Sequence, residues 1–135
     1  MVAFVDTGAL IALSRPSDQY HARAKAIARR HHAAGGRYSS SALVLAEFHT
    51  HMLYLLGPAA ARAKLEALLR DGAHEWHEAT ADLLRAATER WLSRFADQRF
   101  SLTDAVSFEL MSTESISHAF AFDRHFETAG FSLLA

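Results

Sequence analysis

The chain has 135 residues, half of them hydrophobic and 21% charged, with a net charge of −1 and no cysteine. This excludes a disordered chain and a disulfide or thiolate-metal framework, and the length suits one domain burying about two-thirds of its unfolded surface. The near-neutral balance also excludes a broad grip on long nucleic acid by counterion release, so any such contact has to be local or metal-assisted.

Val2-Ala3-Phe4-Val5 is a short apolar run that stops at Asp6, and Thr7-Gly8 leads into a second apolar run, Ala9 to Leu13. A buried strand, a charged turn and a helix is the plainest reading. The stretch lacks a basic leader and is cut by Asp6, so it is not read as a signal sequence. No other apolar run approaches the ~20 residues needed to cross a bilayer. The expectation is a soluble, cytoplasmic protein with no membrane contact.

Arg15-Pro16-Ser17-Asp18 breaks the chain, and Ser17 is placed as the N-cap of a helix to about Ala33, with Tyr20, Ala24, Ile27, Ala28 and His31 on one face. Gly35-Gly36 ends it, and Arg37 to Ser40 is a second strand. Ser40 or Ser41 caps a helix to about Leu56 whose apolar side is Leu45, Phe48, Met52 and Leu55, with Glu47 beside it. Pro58 opens the next helix, which ends before Gly72 and carries Ala61, Leu65, Leu68 and Leu69.

His74 to Glu78 is a weak third strand, and Thr80 to about Phe95 an amphipathic helix with Leu84, Ala87, Trp91 and Phe95 in register. After the loop Ala96 to Phe100, Ser101-Leu102-Thr103-Asp104 opens a helix through Met111. His118 to Phe122 is a strand that again ends in an acid, Asp123. A short turn or helix and a last strand, Phe131 to Leu134, complete the chain. Strands alternating with helices predict an α/β domain over residues 1–135, with a mostly parallel sheet covered on both faces. The helix-rich middle, Ser41 to Phe95, has room for a protruding pair of antiparallel helices.

Asp6 and Asp123 share one grammar, an apolar strand with an acid at its carboxyl end. In neighbouring parallel strands, about 4.8 Å apart, both carboxylates emerge on one rim, where open α/β sheets bind ligands. Asp104, at a helix start, can meet that rim from above, and Glu47 from the second long helix. Singly, each acid has a structural explanation: Asp6 or Thr7 can cap the first helix, Ser101 and Asp104 match a capping box, Glu47 can be a surface residue and Asp123 can begin a turn. Together, crowded carboxylates repel unless a cation sits among them, and all-oxygen ligands suit Mg²⁺ or Mn²⁺ in preference to zinc. Such an ion activates water and stabilises charge on a phosphodiester. Thr7 and Thr103, each beside an acid, are placed to orient a water or a phosphate oxygen.

Phe4-Val5-Asp6-Thr7, Leu45-Ala46-Glu47, Ser101-Leu102-Thr103-Asp104-Ala105 and Phe122-Asp123-Arg124-His125-Phe126 together resemble the acidic signature of PIN-domain nucleases, especially VapC-type toxins. The resemblance spans the whole chain in the expected order. It implies a compact α/β/α domain, Mg²⁺- or Mn²⁺-dependent cleavage of RNA, a homodimer and a small cognate antitoxin. Metal binding and catalysis carry over to Asp6, Glu47, Asp104 and Asp123. The departure is at the fourth motif, where many members have Ser or Thr just before or two before the acid and this chain has Ala121-Phe122, which opens an outer-shell role for Asp123. Arg124 and His125 are placed either to touch substrate phosphate or on the turn surface.

Two other patterns lead elsewhere. Asp6-Thr7-Gly8 matches the motif of aspartic proteases, but those are β-rich and glycine-rich, whereas this chain has 6 Gly and long amphipathic helices. The nine histidines include no H-E-x-x-H, and His49 and His51 point about 200° apart on a helix. The rival reading from another class is a PIN-like module that binds RNA or protein without cutting, separable by metal binding and by removal of Asp6 or Asp104.

Overall fold

The structure, a computed structural model, describes residues 1–135. Strands β1 (Val2–Val5), β2 (Arg37–Ser41), β3 (His74–His77), β4 (His118–Phe120) and β5 (Ser132–Leu133) form one sheet in the order β3-β2-β1-β4-β5. Every pairing is parallel, and Val5 lies opposite Phe120 at the centre. The two strands followed by acids are therefore neighbours. Ala3, Phe4 and Val5 are all buried, which is why β1 reads as an unbroken apolar run.

Parallel strands require crossovers, and their right-handedness assigns each helix to a face. From β1 outward to β3 the chain passes through α1 (Thr7–Ser14), α2 (His21–Ala33), α3 (Ala42–Leu56) and α4 (Pro58–Arg70), which share one face and pack on one another. It returns to β4 and β5 through α5 (Ala81–Ala87), a π-helical segment (Thr88–Ser93), α6 (Leu102–Thr113) and α7 (His125–Thr128) on the other face. A single buried cluster contains Phe48 from one layer, Phe108 from the other and Phe4 and Phe120 from the sheet between them, so the α/β/α sandwich has one continuous core.

Local chemistry moves several boundaries. Ser17 does not cap α2, which begins only at His21. Asp18 takes the turn, its carboxylate accepting the Tyr20 N–H at 2.8 Å, and Ser17 Oγ accepts from Arg15 Nε. Ser41 is the cap of α3, accepting from Val44 N, whereas Ser40 donates to the carbonyl of Val5 at 2.7 Å and ties β2 to the end of β1. Gly57, at φ 84, lets α3 turn into α4 without a longer loop. Leu55 and Leu69, expected in the core, are 41% and 56% exposed. Nothing within the chain covers the end of α3.

The helix expected from Thr80 to Phe95 is α-helical only to Ala87 before it widens into the π segment. There the Trp91 indole N–H donates to Glu109 Oε1 at 3.0 Å and Arg90 Nε lies 3.3 Å from the same oxygen. β4 stops at Phe120, two residues earlier than its apolar run, because Phe122 turns aside to stack on Tyr20 at 4.4 Å. β3 ends at His77 and β5 is confined to Ser132–Leu133.

Candidate active site

Asp6 stands where β1 ends and α1 begins, 9% exposed. Its backbone N–H donates to the Phe120 carbonyl at 3.0 Å, continuing the β1–β4 ladder one residue past the strand. Although it occupies the N-cap position, its carboxyl makes no capping bond to the turn beyond. It lies beside the Thr7 backbone N–H and near enough to Asp104, Glu47 and Asp123 to feel their charges. The purely structural reading of Asp6 as a helix cap therefore fails.

Packing of α3 on α1 delivers Glu47, whose Oε1 accepts a 2.7 Å hydrogen bond from the Thr7 hydroxyl. Thr7 thus orients one of the acids directly. Asp104 opens α6 in a complete capping box: the Ser101 Oγ accepts from Asp104 N, and Asp104 Oδ2 accepts from Ser101 N, both at 3.0 Å. The box fixes the carboxylate, and Oδ1 remains without a protein donor. The capping bond thus uses one oxygen of this acid and leaves the other free.

Asp123, beyond β4, accepts the His125 backbone N–H on Oδ1 at 2.9 Å. The His125 ring turns inward, with Nδ1 3.2 Å from Asp104 Oδ2 and 3.5 Å from Asp123 Oδ2. Asp104, Asp123 and His125 bring one ligand atom each within 4.8 Å of one another. Arg124 points away, 88% exposed and paired with Glu127. Thr103 lies in the first turn of α6, half-buried, and its hydroxyl hydrogen-bonds to none of the four acids.

Burial, first, and then the neighbouring carboxylates push the Asp6 carboxyl up from 3.8 to about 7, against the opposing pull of the Thr7 N–H. The donor set of Asp104, Asp123 and His125, carboxylate oxygens with one adjacent imidazole, is of the kind that suits a hard divalent cation. The rim is open. A half-open cavity of about 410 Å³ elsewhere, walled by Leu10, Leu13, Tyr38, Leu68 and His74, contains none of these acids. A shallower hollow of about 540 Å³ instead begins at Glu47 and runs along α3 to Tyr54 and Leu55.

Two features were not legible from sequence. The inward turn of His125 accompanies the start of α7 two residues after Asp123, and the spacing Asp123-x-His125 was its only signal. The Glu109 pairing with Trp91 left no signal beyond an acid among apolar residues of α6.

Residues 3–132 match the PIN domain family. The chain belongs to that family. As a PIN domain it is 36% identical over 128 residues to the 23S rRNA-specific endonuclease VapC20 of Mycobacterium tuberculosis, in strains CDC 1551 / Oshkosh and ATCC 25618 / H37Rv, covering 95% of this chain and 94% of the relative. The crystal structure of M. tuberculosis VapC20, described as a sarcin-ricin loop cleaving toxin, superposes with a TM-score of 0.81 at 34% identity over 97% of this PIN domain and 96% of that chain. VapBC2 from Rickettsia felis, bound to a DNA fragment from its promoter, matches at TM-score 0.66 and 16% identity, over 98% of this chain and 97% of that one. FitAcB from Neisseria gonorrhoeae gives the same score and identity over 100% and 97%. These last two likenesses show the PIN fold alone.

Proposed function

We propose that this PIN domain is a divalent-metal-dependent endoribonuclease and the toxin of a toxin-antitoxin pair. The observation that carries the reading is the convergence of Glu47, Asp104 and Asp123 on the buried Asp6, in a chain 36% identical over nearly its whole length to an rRNA endonuclease.

Asp6, Asp104 Oδ1 and the Glu47 oxygen not held by Thr7 are the oxygens available to hold Mg²⁺, or Mn²⁺ in its place; Asp123 completes the shell from outside. When bound, the ion supplies a Lewis acid for the phosphodiester and lowers the pKa of the attacking water. The water oxygen forms a bond to phosphorus as the P–O bond to the flanking nucleoside breaks; one proton of the water ends on the leaving oxygen as its hydroxyl and the other is released from the new phosphomonoester. The chain's own residues position this step: Ser101 fixes Asp104, Thr7 fixes Glu47, and the strand ladder fixes Asp6. Thr103 orients water or phosphate from the first turn of α6.

The kinship with VapC20 makes the sarcin-ricin loop of 23S rRNA the first substrate to test. The exposed Leu53, Tyr54, Leu55 and Leu56, with Tyr54 86% exposed, support protein partners, a second copy and a small cognate antitoxin in the cytoplasm. No helix is long and apolar enough to cross a membrane. Incubation of purified protein with ribosomes, followed by primer extension across 23S rRNA, is expected to show discrete cleavage with Mg²⁺ or Mn²⁺ and none with EDTA or in Asp104→Asn. Intact rRNA under conditions where calorimetry shows bound Mn²⁺ would reject this substrate.

A further inference from the structure

His125 sets an imidazole ring among the acids of the rim. Its Nδ1 faces two carboxylate oxygens, Asp104 Oδ2 at 3.2 Å and Asp123 Oδ2 at 3.5 Å. Two carboxylate acceptors leave that nitrogen one role, donor. The backbone N–H of the same residue donates to Asp123 Oδ1 at 2.9 Å. Edge contact with Phe100, at 5.2 Å between centroids, holds the ring plane, and Phe100 is itself buried against Phe108 of α6. The residue thus ties the turn after β4 to the start of α6.

Resting on the metal-site reading above, we propose that His125 is a positioning residue whose Nδ1–H holds the Asp104 and Asp123 carboxylates in register, presenting Asp104 Oδ1 to the ion while the imidazole stays outside the coordination shell. With Oδ2 of Asp104 engaged by Ser101 N and His125, its second oxygen is the one left to a ligand. Donors behind a metal-binding carboxylate fix its orientation, and their loss typically costs ten- to a hundredfold in metal affinity. Asp123 then serves mainly through His125, which accounts for an acid that is 44% exposed, bonded to the His125 backbone N–H and 3.5 Å from the ring nitrogen.

The test compares Mn²⁺ affinity, by calorimetry, and kcat and KM on the cleaved RNA for wild type, His125→Phe, His125→Asn and His125→Gln. Phe keeps a ring against Phe100 without a donor. Asn places an amide N–H near the Nδ1 position, and Gln places one near Nε2. Phe and Gln are expected to lose about tenfold in Mn²⁺ affinity with a fall in kcat at nearly constant KM, whereas Asn stays within about threefold of wild type. Wild-type affinity in Phe, or Asn no better than Phe, overturns the proposal. So does a ¹⁴N coupling in the electron paramagnetic resonance of wild-type Mn²⁺ protein that disappears in Phe, because it makes the imidazole a direct ligand. Absence of Mn²⁺ binding in wild type overturns the metal-site reading and this inference with it.

Discussion

The molecule buries two carboxylates in opposite ways. Glu109, in the middle of α6 with its side chain 5% exposed, has a partner for its charge: the Trp91 indole N–H at 3.0 Å and the Arg90 guanidinium at 3.3 Å reach the same oxygen. Asp6, 9% exposed at the end of β1, faces three further acids and has only a backbone N–H in its favour. A buried charge with matched donors belongs to the framework, and one held among like charges marks a place where the fold is organised for something it does not itself contain. The difference predicts opposite responses to neutralising the two acids.

The largest effect is expected on activity. Asp104→Asn removes a charge the proposed ion needs while keeping the amide capable of receiving Ser101 N–H, so cleavage should fall on the order of a thousandfold, about 4 kcal/mol of transition-state stabilisation, with an unchanged circular dichroism spectrum. Near-wild-type rates would remove Asp104 from the site. Glu109→Ala should instead act on stability, leaving the Trp91 N–H without a partner beside a new cavity, at a cost of about 3 kcal/mol in denaturant unfolding. An unchanged midpoint would mean that the π segment does not depend on this acid.

Asp6→Asn should move stability the other way. In metal-free protein above pH 7 it relieves burial of a charge among like charges, and a gain of about 2 kcal/mol is expected. Loss of stability comparable to Glu109→Ala would erase the contrast between the two acids. The pH dependence follows from the same cause. Asp6 titrates at its ordinary 3.8 in the unfolded chain and at about 7 in the folded one, so between those values the folded state holds the extra proton. Its favourable contribution is complete below about pH 4 and is lost as pH rises through about 7, up to about 4 kcal/mol in the metal-free protein. Asp6→Asn should flatten that slope, and added Mn²⁺ should reverse the loss. A slope identical in the variant would locate the titration elsewhere. The smallest effect is expected for Thr7→Val, which deletes the hydrogen bond to Glu47 and should cost about 1 kcal/mol of positioning, a severalfold fall in kcat.

Much of this architecture was legible because it depends on local pattern. The apolar run of β1, the capping pair Ser101 and Asp104, the Gly57-Pro58 break and the alternation of strands with helices are encoded within a few residues, and the parallel α/β sandwich follows from them. The four acids could be nominated for the same reason, since strand ends and helix starts are local events. Local pattern failed where a distant partner decided the outcome. Ser17 looks like a cap until Asp18 takes the turn, the Thr80 to Phe95 periodicity looks like one α-helix although the chain widens into a π segment where Trp91 meets Glu109, and Leu55 and Leu69 look like core until the end of α3 is left uncovered.

By itself, then, the sequence determined which residues form the central strand, which helix begins at Asp104 and which acids are candidates. Tertiary structure alone decided that β1 lies beside β4, that α3 carries Glu47 to Thr7, and that His125 turns inward between two carboxylates rather than outward with Arg124. Periodicity and capping act over a turn or two of chain, whereas the charge on a carboxyl is set by whatever the fold brings to it through space, here from positions 41, 98 and 117 residues away in the chain.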